Sequence, residues 1–247
     1  LDVPASSIDA ASAVLSQFYR EEWQAGSARA RVPSPPLLLS PSFAMALCLS
    51  LGLLALFIQT NEPWYDRGGV LREAVWLGQW WRLVTGSTLH ADWPHVLGNC
   101  AFLLILGFGA AERFGLGLLP AIWLCTSIGG FGASLLLTEI SSSVGASGGI
   151  YGLLGASAAH ALKTEVSDTM RWHRRLRRIG GPALFVAATA FGEHSNIVAH
   201  LGGLGTGLLL GVVLPRKPPA VSMQLCAALA TLVLLWVCWQ RALSTGV

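Results

Sequence analysis

From residue 37 onward the chain is a succession of long apolar stretches cut by short polar ones. A bilayer core needs about 20 consecutive apolar residues per helical crossing, and uninterrupted runs are the signature of helices rather than of barrel strands. The pattern predicts spans from Leu37 to Gln59, Trp93 to Ala111, Leu116 to Thr138, Ser147 to Leu162, Gly181 to Gly192, Ile197 to Leu214 and Val221 to Trp239. The fifth is short enough to be extended or partly re-entrant. The expected architecture is an all-α, polytopic membrane protein divided into a polar tail over 1–36, a six-span unit over 37–214, and a linker with a seventh helix over 215–247. The linker is the helix-hostile run Pro215-Arg216-Lys217-Pro218-Pro219.

Composition excludes a water-soluble globule. Apolar residues make up 53% of the 247 and charged residues 12%, so there is too little polar surface to cover a body of this size. Mean hydropathy is +0.57. The cysteines Cys48, Cys100, Cys125, Cys226 and Cys238 all fall inside apolar runs and read as small buried hydrophobes. No metal or organic cofactor is implied, because no Cys/His/carboxylate set has suitable ligand spacing. The tail is too polar for a signal peptide.

Charge sets an expected orientation. In the seven-span arrangement, Arg20, Arg29, Arg31, Arg113, Lys163, Arg171, Arg174, Arg175, Arg177, Arg178, Arg216 and Lys217 fall on one side, and Arg67, Arg72, Arg82 and Arg241 on the other. The cation-rich side is cytoplasmic by the positive-inside rule, which also accounts for the Arg171–Arg178 cluster without a nucleic-acid role. The Trp-rich connection after the first span, with Trp64, Trp76, Trp80 and Trp81, is then external.

The same topology gathers polar groups at one membrane face. His95 and Asn99 lie in the first turns of the second span, Ser147 opens the fourth, and His200 lies in the first turn of the sixth. Polar side chains in lipid are costly and mark functional sites. A serine at a helix start has the positive end of the helix dipole behind it, and a histidine can take its proton and return it to a leaving amine. His95 and Asn99 are four apart, on one helix face, where both can point N–H donors at a single carbonyl oxygen. Gly148, Gly152 and Ala156 form a small-residue stripe, and Gly203, Gly207 and Gly211 form another at the same interval, so two backbones can pack nearly in contact. Tyr151 lies one turn after Ser147, placed to stack on His200. Trp123, Trp236 and Trp239 read as anchors or packing residues. His160 and His173 belong to the cytoplasmic half, whereas His194, Glu193 and Asp92 lie near the polar cluster without a required role.

The stretch Trp81-Arg82-Leu83-Val84-Thr85, then His90, His95 and Asn99, then Gly145-Ala146-Ser147-Gly148 with Tyr151, then His200 with Gly203 and Gly207, resembles the rhomboid family of intramembrane serine proteases. Glu112, after the second span, fits the same pattern. The resemblance covers roughly residues 76–214. It implies a serine endopeptidase with Ser147 as nucleophile and His200 as base, and with His95, Asn99 and the Ser147 N–H as oxyanion hole. Tyr151 and Gly145 would support the site, and His90 would be structural. Partners would be single-span membrane proteins cut in or near the membrane. A narrower likeness, in Gly78-Gln79-Trp80-Trp81-Arg82-Leu83 and Leu89-His90-Ala91-Asp92-Trp93-Pro94-His95, is to the bacterial rhombosortase branch, which implies C-terminally anchored substrates. The long tail and the seventh span depart from that branch. Two other classes are open to test: a catalytically silent client-binding rhomboid-like protein, and a transporter relaying protons through histidines. The latter predicts polar residues through the full membrane depth.

Overall fold

The computed structural model describes residues 16–17, 19–20, 40–59, 62–164 and 195–245. Residues 1–40 and 41–247 are separate units, and the account below is of the second. The expected fifth span, the basic cluster over 171–178, His173, Glu193 and His194 lie outside the described residues.

The chain is a multi-pass, all-α membrane protein. Helix α1 spans Pro41–Gln59. A connection follows that contains α2 (Glu62–Gly68), a two-residue strand β1 (Val70–Leu71), α3 (Arg72–Trp76), α4 (Arg82–Thr85) and a 3-10 turn at Gly86–Thr88. Then come α5 (Trp93–Phe114), α6 (Leu118–Leu137), β2 (Ser142–Ser143), α7 (Ser147–Thr164), α8 (Ile197–Val213) and α9 (Val221–Ser244). Helices α1, α5, α6 and α9 are each long and apolar enough to cross a membrane, and α8 is a shorter apolar helix. Helix α7 is too polar to fall in that set, and most of its residues from Gly148 to His160 are buried within the protein, where that polarity is tolerated.

Among the described residues the expected first, second, third and seventh spans coincide with helices long and apolar enough to cross, with shifted ends, while the fourth and sixth are helices outside that set. Helix α5 runs three residues past Ala111 to Phe114 before Gly115 stops it at φ +97, and α9 continues beyond Trp239 to Ser244. Asp92 caps α5, its Oδ1 accepting the His95 N–H at 2.8 Å, with Pro94 in the first turn where its missing N–H costs nothing. Helices α1 and α5 are joined by a reciprocal pair: Ser50 Oγ donates to the Cys100 carbonyl (3.0 Å) and Cys100 Sγ to the Ser50 carbonyl (3.1 Å).

The long polar connection is folded, not loose. Strand β1 pairs antiparallel with β2, Val70 opposite Ser143 and Leu71 opposite Ser142, which ties it to the segment leading into Ser147. Arg72 donates to the Leu135 carbonyl (2.7 Å) and to the Thr138 carbonyl, satisfying C-terminal acceptors of α6 with a cation at the negative end of its dipole. Buried Arg82 donates to the Gly69 carbonyl and to Gln79 Oε1, both at 2.7 Å.

Candidate active site

The two small-residue stripes meet in register. A Cβ on Gly203 would run into the Gly148 carbonyl, one on Gly207 into the Gly152 carbonyl, and one on Gly211 into the Ala156 carbonyl. Helices α7 and α8 therefore touch through backbone over two full turns, an approach that any larger side chain on α8 would forbid. That contact carries the first turns of both helices together. His200 Nε2 lies 2.8 Å from Ser147 Oγ, although the residues are 53 apart in sequence. The Tyr151 ring stacks on the imidazole at 4.4 Å between centroids and 6° between planes. Nδ1 of His200 faces Ser195 Oγ at 3.3 Å.

His95 closes the opposite side. Its Nε2 sits where a side chain on Gly145 would be: a Cβ there would lie 2.6 Å from it and 3.7 Å from Ser147 Oγ. Gly145 also has φ +128, so glycine is required both by backbone conformation and by space. One helical turn deeper, Asn99 is buried and its Nδ2 donor has no hydrogen-bond partner among the described residues. Leaving a buried amide donor unpaired costs about 1–3 kcal/mol, and such groups are retained where function needs them.

This geometry sits in a recognisable stretch of chain, for residues 77–217 match the family described as Rhomboid domain. The chain belongs to the rhomboid family. It is similar to RHOMBOID-like protein 1 of Arabidopsis thaliana, 34% identical over 138 residues, covering 56% of this chain and 35% of that protein. Rhomboid protease AarA of Providencia stuartii is 25% identical over 185 residues, 65% of this chain and 66% of that one. Rhomboid-related protein 3 of Homo sapiens is 27% identical over 195 residues, 73% and 47% respectively. These alignments thus span from 35% to 66% of the relatives' own lengths.

Several supports of this rhomboid site carry no sequence signal that separates them from ordinary packing. Gly86 in the 3-10 turn accepts the Gly145 N–H (2.9 Å), fixing the segment before Ser147 to the connection. Trp123 on α6, read as packing or anchoring, donates its indole N–H to the carbonyl (3.2 Å) of Ala146, the residue directly before Ser147. Asp92 acts as a helix cap and so fixes the backbone of His95. Asn196 caps α8 by accepting the Ala199 N–H (3.0 Å), and its Nδ2 donates to Ser134 Oγ (2.8 Å) and Ser143 Oγ (3.2 Å).

His90 packs edge-on against His95, ring centroids 5.1 Å apart. Among the described residues neither of its buried ring nitrogens makes a hydrogen bond of good geometry, although the Thr88 backbone lies close enough to favour the charged ring slightly. Burial first, then the nearby His95 imidazole, push its pKa down to about 3, so it is neutral at physiological pH. His160 lies far from this cluster, its Nε2 3.1 Å from the Pro215 carbonyl and its ring edge-on to Phe114.

Proposed function

We propose that this rhomboid is an intramembrane serine endopeptidase working through a Ser147–His200 dyad. The observation that carries the reading is the 2.8 Å contact between His200 Nε2 and Ser147 Oγ, made across an interface that glycines on α8 allow to close to backbone contact. A client-binding protein without catalysis needs neither half of such a pair.

In the proposed mechanism Ser147 Oγ attacks the scissile carbonyl of an unwound substrate segment while its proton passes to His200 Nε2. The developing oxyanion is received by the Ser147 N–H at the start of α7, aided by that helix's dipole, and by the His95 and Asn99 side chains. The unpaired Asn99 donor supports this assignment, since a carbonyl oxygen that becomes an anion supplies the acceptor it lacks. The imidazolium then gives its proton to the leaving amine, and water hydrolyses the acyl-enzyme through the same base. Tyr151 holds the imidazole plane.

Substrates in this reading are single-span or C-terminally anchored membrane proteins. The site opens to the external face of the cell membrane, with the amino terminus cytoplasmic, an orientation supported by the cation distribution. The test is co-expression with tagged single-span proteins and sequencing of new termini. Cleavage should be lost in Ser147→Ala and in His200→Ala while both variants still insert and fold. Equal cleavage by Ser147→Ala would make the chain something other than a serine protease.

A further inference from the structure

The proposed dyad assigns one nitrogen of His200 and leaves the other. For Nε2 to accept the Ser147 proton, Nδ1 must carry the ring's hydrogen, and that N–H needs an acceptor to hold the tautomer. Nδ1 faces Ser195 Oγ at 3.3 Å. Among the described residues no carboxylate is hydrogen-bonded to this imidazole. Resting on the dyad reading, we propose that Ser195 is its third member, a positioning residue whose hydroxyl oxygen accepts Nδ1–H and follows the charge that appears when the ring is protonated.

The position of Ser195 is built. The next residue, Asn196, is held by the Ala199 N–H, by Ser134 Oγ on α6 and by Ser143 Oγ on β2, and its carbonyl accepts the His200 N–H at 3.1 Å. The Ser195 carbonyl accepts the Ile197 N–H at 3.0 Å. Residue 195 is thus carried on a fixed turn less than two helical turns from the ring it serves. Because β2 leads into Ser147, the Asn196 clamp also ties the base to the nucleophile's strand.

A hydroxyl suits this place for a physical reason. A carboxylate acceptor would bury a net charge at the membrane face, where charges are costly, whereas a neutral oxygen satisfies Nδ1–H without that penalty. Protons balance throughout. The Ser147 proton moves to Nε2 as the Oγ–carbon bond forms, then to the leaving amine as the carbon–nitrogen bond breaks, while Nδ1–H and the Ser195 hydroxyl keep theirs.

The experiment is kcat and KM against pH for cleavage of a single-span substrate in liposomes, with Ser147→Ala as the baseline. The groups facing His200 are Ser147 Oγ, the Tyr151 ring, Ser195 Oγ and, electrostatically, the His95 imidazole, all left unaltered except Ser195. Ser195→Ala should lower kcat about 10- to 100-fold at unchanged KM, the worth of a hydrogen bond to a charged ring. It should also move the acid limb of the kcat profile about one unit lower, because the imidazolium has lost an acceptor. Ser195→Thr, which keeps the hydroxyl, should restore both. An inactive Ser147→Ala alongside a Ser195→Ala within twofold of the parent, or with an unmoved acid limb, overturns the role of Ser195 and leaves the dyad standing. Equal losses in Ser195→Ala and Ser195→Thr together with a lower melting temperature reduce it to a packing residue. An active Ser147→Ala overturns both readings.

Discussion

Helix α7 and helix α9 are built on opposite plans. Helix α7 buries most of its length, carries glycine at backbone contacts, and is too polar to qualify as a span by itself. Helix α9 is strongly apolar, yet only 11% of its apolar window is buried, against 61% for α6. Its fixed points lie near its ends. Gln224 Oε1 accepts the Gly117 N–H (3.3 Å) in the turn between α5 and α6, and Trp239 donates to Thr88 Oγ1 (3.2 Å) while tilting against the Trp64 ring. In a bilayer, burial between helices relaxes the demand for hydrophobicity and tightens the demand on volume, while lipid exposure does the reverse. The proposed chemistry falls on the first kind of helix, where polar groups are held without facing lipid.

The sharpest way to break the contrast is to put bulk into the backbone contact. Gly207→Leu would drive a side chain into the Gly152 carbonyl. Cleavage should fall to the Ser147→Ala baseline, with unfolding in detergent made easier by roughly 1–3 kcal/mol. Retained activity would mean that the α7–α8 approach is looser than the glycine pairing implies.

Next in size is Asn99→Ala. If Asn99 donates to the oxyanion as proposed, its removal should lower kcat about 100- to 1000-fold with little change in KM. Thermal stability should hold or rise, since the variant deletes a buried donor that has no partner. A matching drop in stability would recast Asn99 as structural.

A smaller effect concerns acid. His90 is held at a pKa of about 3 in the folded protein, mainly by burial, against an ordinary 6.5. Between those values the unfolded chain binds a proton that the folded one refuses. The stability that His90 contributes is therefore full above pH 6.5 and is lost progressively as pH falls toward 3. In His90→Gln the fall in melting temperature across that window should be shallower, and an unchanged slope would place the acid sensitivity elsewhere.

Smallest of all should be Leu229→Ala and Leu232→Ala on the exposed flank of α9. Cleavage rates within about twofold of the parent and stability within about 0.5 kcal/mol are expected. A large loss would show that this flank packs on protein rather than lipid.

The sequence alone determined the order of apolar segments, the paired four-residue stripes, and the gathering of Ser147, His200, His95 and Asn99 at one face, because each is written in residue type and helical periodicity. Tertiary structure alone decided the Ser195 contact, the Gly86–Gly145 bond, the strand pair that folds the connection, and the Trp123 support behind Ala146. Apart from the Ser195 contact, which joins residues five apart, these are long-range; all are made largely through carbonyls, amides and hydroxyls, groups that nearly every segment carries, so composition and spacing do not distinguish the ones that meet. Which of them pair depends on distances between distant segments that exist only once the chain has folded.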